Sequence, residues 1–302
     1  MNRIILFKDR DFGELFQDSF QYVFRNAKTL LIPLLIYVVP IVAISGIINA
    51  YYSQNMMDTL MQTIQGGDID NLLEEMVRNN QVMPLWIIPI ILVVSMIATG
   101  MTGAFIYEHM LVYMQEPDQL EDGDHLRDRA FNSLGKLIGT FLTIAGLTFI
   151  AAIGVAIVVG LAAAFTPVLA VILGIIAFFL LCYAMVPISL TYITQLYEDI
   201  SPIAALRRVF GLIRGYWWMT FGLQFLMSLI LGIVSAPVTA SLSLSGAMSL
   251  PVLIGGQLVI AAVSVLINTP LWVANALQYF NITDQQGPSS YIDDVIDQIG
   301  NE

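Results

Sequence analysis

Glu108 and His109 are the two side chains in this chain best suited by type to acid–base chemistry. Adjacent positions on a helix point about 100° apart, however, so one cannot face the other. They fall at the end of an apolar stretch, where interfacial placement is the expectation. His125 lies in an acidic gap, and Cys182 lies inside another apolar stretch with no intramolecular partner. Two distant histidines and one cysteine make no recognisable metal set, although carboxylates alone could hold a hard cation weakly. Neither a Gly-x-Ser-x-Gly elbow nor a phosphate loop with its lysine is present. The expectation is therefore a chain with no cofactor and no catalytic site. Only neutral polar groups reach deep into the apolar stretches: Gln224, Gln257, Asn268 and Asn275. They could line a polar site or hydrogen-bond between helices.

The elements that must position these groups are read from hydropathy. The 302 residues are 57% hydrophobic and 12% charged, with mean hydropathy +0.78, too little polar surface to cover a soluble globule. A bilayer core needs about 20 apolar residues in a helix. Six windows satisfy this: Leu30–Tyr51, Leu85–Tyr107, Leu137–Leu161, Val168–Thr191, Trp218–Val238 and Val252–Leu277. Their unbroken apolar character lacks the alternation of a barrel strand. The expected fold is an all-α integral membrane protein with about six transmembrane helices, a single domain over residues 1–280. The first window exceeds the core of a signal peptide and is read as an uncleaved span.

Charge orients it. Of the 12 Lys and Arg residues, all but Arg78 fall before the first window, in the gaps before the third and fifth, or nowhere else, and short basic segments stay cytoplasmic. Both termini are therefore expected in the cytoplasm of a cell whose plasma membrane is the bacterial inner membrane. The net charge of −11 argues against nucleic acid as a partner, which needs clustered Lys and Arg.

Two segments ahead of spans have helical periodicity with apolar residues on one side. In residues 11–28 these are Phe12, Leu15, Phe16, Phe20, Val23, Phe24 and Ala27. In residues 202–215 they are Ile203, Leu206, Phe210 and Ile213. Both read as interfacial helices whose basic residues meet lipid headgroups: Arg25, Lys28, Arg207, Arg208 and Arg214, joined by Lys136 before the third span. Phe20-Phe24-Lys28 and Leu206-Phe210-Arg214 share spacing, with a weaker copy from Ala130-Phe131 to Gly135-Lys136. Three units, each an interfacial helix followed by a two-helix hairpin, would explain this. Coincidence is the alternative, since basic amphipathic helices precede many spans.

The run Ala204-Ala205-Leu206-Arg207-Arg208 through Gly215-Tyr216-Trp217-Trp218, with Phe24-Arg25-Asn26 and Lys28, also resembles the membrane-domain module of some bacterial glycerophosphodiester phosphodiesterases and related stand-alone inner-membrane proteins. The resemblance implies a six-helix bundle. No phosphodiesterase barrel follows the sixth span, so it implies neither that family's hydrolysis nor its metal site.

Three further patterns complete the reading. Thr148, Ala152, Ala156, Gly160 and Ala164 recur every fourth residue, a small-residue row expected to pack closely against a neighbouring helix. Residues 55–80 show helical periodicity around Gly66-Gly67, a candidate outer hairpin. Residues 281–302 form an acidic tail in which Ile292, Val295, Ile296 and Ile299 share a face suited to docking on protein. The leading functional expectation is a non-catalytic inner-membrane scaffold or accessory subunit engaging membrane lipids and a protein partner at the cytoplasmic face. A transporter or translocator of a lipid or neutral amphiphilic solute is the second reading. An intramembrane enzyme is the third and would need Glu108, His109 or another polar cluster to converge in a cavity.

Overall fold

A computed structural model of the chain describes residues 4–51, 86–243 and 250–286, with side chains described through 237 in the second range and over 251–285 in the third. The expected outer hairpin of residues 55–80 and the tail face of Ile292, Val295, Ile296 and Ile299 lie outside the described residues. The described elements are helical throughout, with no strand. They are α1 (Phe12–Arg25), α2 (Ala27–Tyr51), α3 (Ile87–Gln115), α4 (Gly123–Phe165), α5 (Pro167–Glu198), α6 (Pro202–Leu212), α7 (Trp217–Ser243) and α8 (Leu250–Gln286). Six of them, α2, α3, α4, α5, α7 and α8, are long and apolar enough to cross a bilayer, with mean hydropathy from 1.8 to 2.8. They mark the chain as an all-α, multi-pass membrane protein.

Local sequence explains where the helices begin. Asp11 accepts from Glu14 N at 2.7 Å to cap α1, and Ser201 caps α6 ahead of Pro202. Thr166 caps α5 ahead of Pro167. A side-chain oxygen at the cap satisfies an amide that the helix cannot, and proline at the first position wastes no donor. Pro33 within α2 removes one helical donor, and the turn that follows, Leu34–Val38, relaxes to π geometry.

Thr166 alone separates α4 from α5, and the two run antiparallel: Lys136 pairs with Asp199 and Thr140 with Gln195. The structure differs from the expectation of a separate interfacial helix before the third span. Residues 123–165 are one helix of 43 residues, about 65 Å long at about 1.5 Å per residue. Nothing between Leu126 and Leu137 breaks it, since Gly135 weakens a helix without ending it. α8 likewise continues to Gln286, nine residues past the expected span end, so Asn281 and Ile282 belong to the buried bundle rather than to a tail.

α8 packs against α1, α3, α5 and α7, and its Val273, Ala274, Leu277 and Phe280 are fully buried. α1 is bound to this core by Leu15, Ser19, Tyr22 and Val23, while Phe24 is 75% exposed. The buried face of α1 thus sits one position around from the apolar stripe marked in the sequence: Tyr22 finds a polar partner inside in His109, and Ser19 satisfies its hydroxyl on its own helix at Leu15 O.

The small-residue row of α4 does not pack against another helix among the described residues. Thr148, Ala152, Ala156, Gly160 and Ala164 are exposed, and a Cβ added at Gly160 would meet nothing within 4 Å. The less exposed face of this stretch is Val155, Val159 and Ala162, about 100° around the helix. Close approach occurs on α3 instead. A Cβ at Gly103 would lie 3.2 Å from Trp272 and 3.5 Å from Leu137, and one at Gly100 would lie 3.1 Å from Leu134. Gly103→Leu is therefore expected to lower stability in detergent by about 1–3 kcal/mol through overpacking, whereas Gly160→Leu leaves the thermal midpoint unchanged or raises it. Equal destabilisation by the two, in a thermal denaturation series, would show that the α4 row is packed.

Candidate functional site

Polar chemistry collects at one end of the bundle, where α3 and α5 end, α4 and α7 begin and α8 finishes. Arg10, Arg129, Lys136 and Arg208 all pair with carboxylates here. This end is built from four groups of contacts.

The first is His109 on α3. Its ring is fully buried, with Tyr22 Oη at 2.8 Å from Nδ1 and Thr29 Oγ1 at 2.9 Å from Nε2. The imidazole is a polar pin holding α1 and α2 on α3. Burial holds the Tyr22 phenol far above its ordinary value, so this hydroxyl stays protonated and available for the bond.

The second is Glu108. It turns the other way, toward α4, where it accepts from Arg129 Nε at 2.9 Å and from Ser133 Oγ. Arg129 also holds Glu116, which in turn meets His125 at 3.0 Å. Glu108 is 5% exposed and His109 not at all. Both are buried in the protein, and they diverge into separate contacts instead of sharing a cavity.

The third follows α8, whose Asn275, Gln278, Asn281 and Gln285 line up at spacings of three and four. Gln224 of α7 donates to Asn275 Oδ1 at 3.1 Å and to Ser189 Oγ of α5. Gln278 donates to Thr220 Oγ1 at 2.8 Å. Asn281 brackets the backbone of Arg10, accepting from its N–H at 2.8 Å and donating to its carbonyl at 3.2 Å. Arg10 itself is 1% exposed and gathers Asp18 at 2.8 Å and the carbonyls of Ile5, Leu6 and Lys8. Of the four deep amides marked in the sequence, Gln224 and Asn275 meet. Gln257 instead rests on Gly46 of α2, where a Cβ would stand 2.6 Å from its Oε1, and Asn268 donates to its own helix at Ser264 O, 2.7 Å away. Sequence reading passed over Gln278, Asn281 and Arg10; the three-and-four spacing from Asn275 to Gln285 was the available signal.

The fourth group is the remaining basic residues. Lys136 is engaged by Asp199, and Arg208 by Glu198 at 3.3 Å, which also receives Tyr279 Oη at 2.8 Å. These two cations, marked as headgroup contacts in the sequence, are held by protein carboxylates, and Arg25 also has a partner. Arg207 and Arg214 are different. Arg207, on α6, and Arg214, two residues past its end, are exposed with Phe210 between them and border a 510 Å3 depression that Ile203 also lines; like those of the exposed Lys28, their side chains have no hydrogen bond or ion pair among the described residues. Next to Arg214, Gly215 turns the chain at φ 89° into a second, 670 Å3 groove lined by Phe179, Cys182, Tyr183, Trp217, Trp218 and Phe221. Tyr183 stacks on Trp217 at 5.0 Å, and Trp217 on Phe221 at 5.2 Å. Among the described residues no group of three or more His, Cys, Asp and Glu is arranged to hold a metal ion.

Two buried hydroxyls, Tyr107 Oη and Thr191 Oγ1, have no partner among the described residues. An unpaired buried donor costs about 1–3 kcal/mol, whereas a paired one contributes about 1 kcal/mol. Tyr107→Phe is thus expected to leave stability unchanged or raise it, and Tyr22→Phe to lower it by about 1–2 kcal/mol by stripping His109 of a partner. Chemical unfolding of the purified chain in detergent checks both; a Tyr107→Phe protein weaker than Tyr22→Phe would contradict the assignment.

Comparison with protein-family models, curated proteins and solved structures finds no match to the chain.

Proposed function

We propose that this chain is a non-catalytic scaffold or accessory subunit of a bacterial inner membrane, with both termini cytoplasmic, engaging the lipid surface and a protein partner at that face. The observation that carries the reading is the division of labour among charged groups at the basic end. Glu108, Glu116, Asp18 and Glu198 are all engaged by arginine, and His109 by two hydroxyls. Acid–base groups spent on holding helices together are poor candidates for turnover, which needs a titratable group facing a substrate. Exposed cations and apolar side chains on α6 are what this end offers to the outside.

Orientation is supported by the sequence bias of Lys and Arg into the segments before the first, third and fifth spans, since basic segments resist translocation. The resemblance to phosphodiesterase membrane modules rests on Ala204 through Trp218, on Phe24-Arg25-Asn26 and Lys28, and is in keeping with the six apolar helices. The acidic tail supplies the protein-binding element: Ile292, Val295, Ile296 and Ile299 on one side and Asp293, Asp294 and Asp297 on the other form a face too negative for anionic lipid and suited to protein.

The test is affinity purification of the full chain in mild detergent, alongside a variant with serine at 292, 295, 296 and 299. A protein is expected to accompany the wild type in fixed stoichiometry and to fall about tenfold or more in the variant, the change that about 1.4 kcal/mol of lost docking energy gives. A wild type that elutes with no stoichiometric protein would sink the scaffold reading. A reporter fused after Glu302 that is active only when exported would, if active, overturn the orientation.

A further inference from the structure

We infer that the corner formed by α5, α6 and α7 is a binding site for one anionic phospholipid, with its phosphate on Arg207 and Arg214 and an acyl chain in the groove beneath Gly215. This deepens the lipid contact of the proposed function and rests on the membrane placement assumed there.

Charge complementarity comes first. Ile203, Arg207 and Phe210 lie on α6, Arg214 follows two residues after its end, and all four line one depression, so the two arginines flank an aromatic ring on one exposed face. The carboxylates near them are already spoken for: Glu198 holds Arg208 and Tyr279, and Asp199 holds Lys136. The anion that these two arginines accept must come from outside the described residues. A guanidinium matches a phosphate oxygen pair in geometry as well as charge.

The groove supplies the apolar half. It opens between α5 and α7, two helices apolar enough to cross a bilayer, and its walls at Phe179 and Trp218 are 65% and 77% exposed. Trp217 spends its indole N–H on Tyr183 O at 3.2 Å, so what it presents to the groove is ring carbon. A space of 670 Å3 is within the range of small-ligand sites. Arg214 and Gly215 are consecutive, which brings the cationic face and the aromatic groove into one continuous surface. A molecule with a phosphate at one end and hydrocarbon at the other satisfies both, and a soluble phosphate or an apolar solute satisfies only one. Tryptophans at such a boundary are also where a polar headgroup meets hydrocarbon.

The experiment is native mass spectrometry of the full chain released from detergent micelles doped with phosphatidylglycerol or phosphatidylcholine, in wild type, R207Q/R214Q and F179A/W218A. Size-exclusion profile and helical circular dichroism confirm that each variant is folded. Wild type is expected to retain phosphatidylglycerol about tenfold better than phosphatidylcholine. R207Q/R214Q should lose that preference while still binding both weakly, and F179A/W218A should lose retention of both while keeping the ratio of what remains. An unchanged preference in R207Q/R214Q would overturn the inference. So would a wild type without preference that acquires one in D293N/D294N/D297N, because the arginines would then belong to the acidic tail. Loss of the protein partner with lipid preference intact would sink the scaffold reading alone; the reverse outcome would sink this site alone.

Discussion

A buried side-chain amide must find a hydrogen-bond partner or lose the free energy of its hydration, and α8 carries a column of them through the middle of the bundle. Asn275, Gln278 and Asn281 are 8%, 0% and 0% exposed. Each is answered by a different part of the chain: Gln224 on α7, Thr220 one turn earlier on the same helix, and the backbone at Arg10 ahead of α1. Apolar contacts alone distinguish poorly between rotations of a helix in lipid, where Leu against Leu is no better than Leu against an acyl chain. The amides have one satisfied arrangement, and so they set the register in which α1, α7 and α8 meet.

The same logic governs the charges. Arg10 and Arg129 each gather several acceptors, Arg10 from Asp18 of α1 and carbonyls of the segment before it, and Arg129 from two carboxylates eight residues apart on α3 and just beyond it. A guanidinium, with five donors in a rigid fork, can tie several groups at once where a lysine would not. The exposed Lys136–Asp199 pair contributes little by comparison, since solvent screens it and both side chains give up freedom to form it. Basic residues that look alike in a charge count thus divide into those that hold the fold together and those, Lys28, Arg207 and Arg214, left facing outward.

Small residues divide in the same way. Gly100 and Gly103 sit where α3 meets α4 and α8, and a side chain there would collide with Leu134, Leu137 or Trp272. The longer and more regular row from Thr148 to Ala164 has the better spacing and no neighbour among the described residues. In α4 and α5, none of the most apolar 18-residue window is buried in the protein, against 22–39% in the other four long helices. Regular spacing makes a close approach available; it takes a second helix to use it.

Apolar length and basic bias were legible from sequence because each depends on residues close together. A helix either has enough consecutive apolar residues to span hydrocarbon or does not, and a cap such as Thr166 before Pro167 acts within one turn. Chain neighbours therefore determined six apolar helices and the starts of α1, α5 and α6. The fate of individual polar residues was not legible in this way. Asn281 and Arg10 are 271 positions apart, and Tyr22 and His109 are 87. Only the tertiary structure decided that His109 is buried between two hydroxyls, that α8 runs nine residues past the expected end of its span, and that among the described residues Gly103 rather than Gly160 is packed. The physical reason is that burial and pairing belong to whichever distant surfaces meet, and no local pattern carries that information.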